Sequence, residues 1–209
     1  MTTVLTVSYG PGMYVKLCGL RTEADVAAAV SAGADAVGFV LTRSARQVDL
    51  DTAKRLVAAV PAGILTVAVF AGLPAREAGE LAVAAGVEAV QLHGADYPRS
   101  SFDALADLPV KLIRATPLTE DTDVTVGAYG EDLLLLDSPV AGSGHRWELG
   151  STRIEGNWLL AGGLDVHNVA EAIAQARPWG VDVSSGIESS RGVKDHGLMH
   201  GFVAAARGA

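Results

Sequence analysis

Eight apolar runs of strand length, most of them separated by alanine-rich stretches of helical period, constrain this chain more than any single residue does. The runs are Tyr14–Cys18, Ala36–Leu41, Leu65–Phe70, Ala89–Leu92, Val110–Arg114, Leu133–Asp137, Trp158–Leu160 and Gly180–Val183. Helical periodicity falls on Thr22–Ala32, Leu50–Val60, Pro74–Ala85, Tyr97–Ala106 and Val166–Ala176, and Lys194–Ala206 closes the chain. Thr22 with Asp25 three residues on has N-cap spacing, Pro74 stands at a helix start, and Pro61 and Gly86 stand where helices stop. Thr119–Gly130 is weakly helical, and Gly150–Gly156 has room for one turn at most. Strands that alternate with helices run parallel, because the crossover helix returns the chain to the same edge. Eight of them, with no linker and no shift in composition, predict a single α/β domain. The expected architecture is a closed (β/α)8 TIM barrel over residues 13–209 rather than an open doubly wound sheet. Residues 1–12 read as a poorly ordered N-terminal extension, without the positive start and apolar stretch of a signal peptide.

Parallel strands covered on both faces call for small and branched aliphatics. The chain supplies them: 49% of its 209 residues are hydrophobic but only 5% are aromatic. That length is enough for one full core, although a barrel of this kind usually takes about 250 residues. The formal net charge of −8 comes without a basic block, so no nucleic-acid partner is expected. No apolar run is long enough to cross a bilayer, so no membrane partner is expected either, and the compartment read from the sequence is cytoplasmic. Monomer and homodimer are both compatible with the sequence.

In a barrel the C-terminal strand ends all open on one face, so residues distant in sequence meet there. Cys18 is the only cysteine in the chain and ends the first run. A lone thiol is either a packing residue or a reactive group acting through its thiolate. Asp137 ends Leu133-Leu134-Leu135-Leu136. Partial desolvation at such a position raises a carboxyl pKa and makes a proton donor, the alternative being a carboxylate that only holds a loop amide. Arg46 offers a fork matched to a carboxylate or phosphate. Gly162-Gly163 and Ser184-Ser185-Gly186 follow strands seven and eight, where barrels often bind phosphate. Asp165 or Asn168, near the helix after strand seven, could alternatively be ordinary capping residues. The five histidines, His93, His145, His167, His196 and His200, have no metal-ligand spacing and read as surface or structural groups.

Taken in order, Lys16-Leu17-Cys18-Gly19, Gly33-Ala34-Asp35-Ala36-Val37-Gly38-Phe39, Ser44-x-Arg46, Gln91-Leu92-His93-Gly94, Leu136-Asp137, Gly162-Gly163-Leu164 and Asp182-Val183-Ser184-Ser185-Gly186-Ile187-Glu188 resemble the phosphoribosylanthranilate isomerases. The resemblance runs through nearly everything after Met13. It implies a (β/α)8 barrel of tryptophan biosynthesis that converts N-(5-phosphoribosyl)anthranilate to the carboxyphenylamino-deoxyribulose phosphate by an Amadori rearrangement. By the same resemblance Cys18 is the general base, Asp137 the general acid and Arg46 the holder of the anthranilate carboxylate. Gly162, Gly163, Ser184, Ser185 and Gly186 would form the phosphate cradle. The implied partner is a small phosphosugar, and no metal or organic cofactor is expected, because the imine is itself the electron sink. Lys16 lies on the same face of its strand as Cys18, and a basic neighbourhood is expected to lower the thiol pKa.

Three positions depart from the family pattern: His145 for a lysine, Trp147-Glu148-Leu149 for an F-D-W, and Arg191 for the proline before Gly192. Two other readings compete. The histidine-pathway carboxamide ribotide isomerases run the same rearrangement with an aspartate pair, where this chain has Cys18 and Asp137. A non-catalytic phosphate-binding barrel would have no need of both.

Overall fold

The computed structural model describes residues 12–137 and 153–209. Eight parallel strands close into a barrel in sequence order: β1 (Tyr14–Cys18), β2 (Ala36–Val40), β3 (Leu65–Phe70), β4 (Ala89–His93), β5 (Lys111–Pro117), β6 (Leu133–Asp137), β7 (Trp158–Ala161) and β8 (Gly180–Val183). Closure is made by β1 on β8, with Lys16 opposite Asp182. Outside lie α1 (Glu23–Ala32), α2 (Leu50–Ala58), α3 (Ala75–Ala85), the short α4 (Arg99–Asp103), α5 (Val169–Ala176) and α6 (His196–Arg207).

Alternation along each strand divides the apolar residues between two cores. Val15, Leu17, Val37, Phe39, Leu134 and Leu136 point outward under the helices. Cys18, Val67, Val69, Ile113, Leu135 and Leu159 fill the barrel itself. The helix signals are realised as read at α1, where Thr22 accepts from the Asp25 amide and Asp25 accepts in return from the Thr22 amide.

Three expectations are corrected. Thr119–Gly130 forms no helix, because its own side chains capture the backbone: Thr122 Oγ1 donates to Pro117 O and accepts from Thr119 N, and Asp123 accepts from Thr125 N. The long helix expected over Tyr97–Ala106 shortens to Arg99–Asp103, behind Pro98. The last helix starts at His196 rather than Lys194. Asp195 caps it through Leu198 N, while Val193–Lys194 is strand β10, paired antiparallel with β9 (Glu188–Ser190). The expected extension before Gly12, His145, Trp147-Glu148-Leu149 and the start of Gly150–Gly156 lie outside the described residues.

Candidate active site

A cavity of about 460 Å³ opens at the C-terminal end of the strands. Cys18, Arg46, Asp137, Gly162, Gly163, Ser184 and Ser185 all line it, so residues more than 160 positions apart share one wall. Gly186 does not line it. It bridges to Asp165 and packs so tightly under the Leu164 carbonyl that any Cβ would collide with that oxygen. Its part is to hold the β7 and β8 loops together. Asn168 fixes the same corner, accepting from Asp165 N and donating to Gly163 O.

Cys18 is 6% exposed. Gly38 on β2 lies so close that a Cβ there would sit 2.8 Å from Cys18 Sγ. Two residues earlier on β1, Lys16 is fully buried and donates to Asp182 Oδ1 at 2.7 Å. Burial alone would push Lys16 down, but the negative partners Asp182 and Cys18 outweigh it and its pKa is raised. Lys16 therefore carries a firm positive charge inside the barrel. The charge does pull the thiol pKa down, as expected, but the expected net lowering is overturned. Burial is the largest effect on Cys18 and pushes its pKa up, with Lys16 only opposing the rise.

Asp137 behaves as its place at the end of an apolar strand predicts. Burial raises its pKa, His93 opposes, and the Asp182 charge adds to the rise. His93, read from sequence as a surface or structural group, in fact lines the cavity, with Nε2 3.7 Å from Asp137 Oδ2. Its signal was its place at the end of β4, in phase with Gln91. Among the described residues no group of side chains is arranged to hold a metal ion.

Arg46 reaches the mouth from the β2–α2 loop and is held by Glu188, its Nε and Nη2 donating to the two carboxylate oxygens at 2.6 and 3.0 Å. Glu188 also accepts from Gly192 N and Lys194 Nζ. Burial would raise its pKa, yet these donors hold it at about 2. Lys194 continues the chain to Ser184 O at 2.7 Å, and the Ser184 hydroxyl donates to the Cys18 carbonyl. Glu188 ends one of the motifs that carry the family resemblance, but neither it nor Lys194 was given a site role from the sequence.

A cavity at this end of such a sheet is the mark of the (β/α)8-barrel enzymes, whose active sites are built from the loops after the strands. Within that class, the chain belongs to the N-(5'-phosphoribosyl)anthranilate (PRA) isomerase family, whose model matches residues 15–205. It is 40% identical over 192 residues to the N-(5'-phosphoribosyl)anthranilate isomerase of Streptococcus pneumoniae, covering 90% of this chain and 93% of that protein. The crystal structure of TrpF from Jonesia denitrificans superposes with a TM-score of 0.87 at 48% identity, covering 94% and 97% of the two chains. A phosphoribosyl anthranilate isomerase in complex with reduced 1-(o-carboxyphenylamino)-1-deoxyribulose 5-phosphate matches with a TM-score of 0.80 at 32% identity, covering 94% of this chain and all (100%) of the other.

Proposed function

We propose that this protein converts N-(5-phosphoribosyl)anthranilate to 1-(2-carboxyphenylamino)-1-deoxyribulose 5-phosphate, an isomerisation in tryptophan biosynthesis, with Cys18 as base and Asp137 as acid. The observation that carries the assignment of roles is that the only thiol and a carboxyl with a raised pKa face one cavity. Asp137 protonates the furanose ring oxygen. The C1–O bond then breaks as the anilino nitrogen lone pair forms the C=N bond. Cys18, as thiolate, removes the proton from C2. The C–H electron pair becomes a C1=C2 double bond and the imine pair returns to nitrogen, and the resulting enolamine takes a proton at C1 and releases the C2 hydroxyl proton to give the ketone.

The two ends of the substrate are anionic, and the site has two places for anions. Arg46 retains N–H donors beyond the edge that Glu188 occupies, which suits the anthranilate carboxylate. Gly162, Gly163, Ser184 and Ser185 supply small, close-approaching backbone for the phosphate, with Gly186 fixing their geometry. The imine is the electron sink, so the chemistry calls for no metal.

The test is an assay with purified protein, chelator present, following consumption of N-(5-phosphoribosyl)anthranilate beside the histidine-pathway ribotide. Turnover of the first substrate, and growth of a tryptophan-requiring strain lacking this isomerase, are expected. Folded protein inactive in both assays would overturn the proposal.

A further inference from the structure

Gln91 is a polar group that neither the proposed acid–base chemistry nor the anion contacts use. It lies on β4, two residues before His93 and so on the same inward face, and it lines the active cavity. Only 2% of the residue is exposed. Its side-chain oxygen Oε1 is buried and meets no hydrogen-bond partner. Its neighbours at the same level are Val69 on β3 and Ile113 on β5, both part of the apolar barrel interior, so the adjoining wall offers it no donor.

A buried amide oxygen without a partner is costly, and a Leu or Met of similar size would fill the same place without that cost. A group of this kind at the floor of a cavity is poised to pair with what enters the cavity. A carbonyl oxygen can only accept, so the incoming group must be a donor.

Resting on the isomerase reading, we infer that Gln91 is a specificity-determining residue whose Oε1 accepts a hydrogen bond from the C3 hydroxyl of the substrate ribose. The other sugar positions are committed. C1 bears the nitrogen, C2 loses its proton and becomes a carbonyl, the ring oxygen on C4 receives the Asp137 proton, and C5 carries the phosphate. Among the sugar hydroxyls only the C3 hydroxyl remains a donor from substrate to product, so it can stay paired with a fixed acceptor throughout. A site that pairs a buried acceptor with a substrate hydroxyl rejects the analogue lacking it, because the acceptor is then left unpaired.

The experiment compares wild type with Gln91→Leu and Gln91→Met on N-(5-phosphoribosyl)anthranilate and on its 3-deoxy analogue, prepared from anthranilate and 3-deoxyribose 5-phosphate. Wild type should lose kcat/KM on the 3-deoxy analogue by about 10- to 100-fold. Each variant should lose a similar factor on the normal substrate and then discriminate hardly at all between the two. Their melting temperatures should equal or exceed that of wild type, which a purely structural glutamine would not permit. Variants that keep wild-type kcat/KM, or that still discriminate as wild type does, overturn the inference while leaving the isomerase reading intact. A wild type that turns over neither substrate overturns both. The wild-type arm needs no variant to fold.

Discussion

Two buried ion pairs of almost equal length lie on opposite faces of the same sheet. Lys16–Asp182 spans the β1–β8 seam inside the barrel at 2.7 Å, and Arg114–Glu131 lies outside it at 2.8 Å, both with side chains at most 10% exposed. Their surroundings differ completely. The outer pair stands where the β5–β6 connection forms no helix. There Arg114 also donates to Thr125 O and stacks over the Tyr129 ring, and Glu131 accepts from Tyr129 N. It closes the loop onto the barrel in place of a helix. The inner pair has chemistry above it: Lys16 pulls on Cys18, and Asp182 pushes on both Cys18 and Asp137. One motif therefore serves packing on one face and acid–base tuning on the other, and the difference is set by which titratable groups each pair faces.

The contrast matters for catalysis only if Cys18 is the group being tuned, so the first way to break it is Cys18→Ser. Loss of about 10²- to 10⁴-fold in kcat is expected, with affinity for the reduced product analogue retained by calorimetry. A rate near wild type would remove the base from the mechanism.

Removing one partner of the outer pair should act on stability alone. Glu131→Ala strands a buried guanidinium, for which a loss of about 3–5 kcal/mol in denaturant unfolding is expected. Activity below the melting transition should stay at the wild-type level. A changed pH–rate profile in this variant would erase the distinction between the pairs.

The inner pair should show both effects. In the proposed mechanism the reactive form has Asp137 protonated and Cys18 ionised. Because both pKa values are raised, kcat/KM should climb through the Asp137 pKa, hold a plateau, and fall only above the Cys18 pKa. Lys16 lowers the thiol pKa, so Lys16→Met should move the alkaline limb upward. The plateau should drop with it, by about tenfold for every pH unit the limb moves. A profile with unmoved limbs would show that the inner pair is structural too.

The smallest effect expected is in acid. Glu188 is held at about 2, below its ordinary 4.5. Its contribution to stability is therefore complete above its unfolded value and is lost as pH falls toward about 2. Glu188→Gln should flatten the stability curve in that window and raise KM through a loosened Arg46. Equal acid sensitivity in the two proteins would contradict the assigned pairing.

These cases also show what was legible beforehand. Strands β1, β3, β6 and β8 stand where their apolar runs predict, because inward and outward burial both demand apolar residues there. Asp137 was readable because its position alone implies desolvation. The direction at Cys18 was not, since burial and Lys16 oppose each other and only their magnitudes decide. The β9–β10 hairpin was hidden because it is short and polar, and its shape depends on Glu188 catching the Gly192 amide. His93 and Gln91 sat in the motif Gln91-Leu92-His93-Gly94, and their spacing puts both on one face of β4, but nothing in it says that this face turns into the cavity. The weak period over Thr119–Gly130 misled for a local reason, its threonines and aspartates preferring to bind their own backbone.

The close fit of Gly38 against the Cys18 sulfur has a consequence for the lifetime of the enzyme in an oxidising setting. Peroxides and alkylating agents attack the thiolate, and they must reach it. A sulfur that is 6% exposed and keeps its proton above the ordinary thiol range is shielded on both counts. The side chain proposed to remove a proton from bound sugar is thus chemically quiet toward oxidants between turnovers.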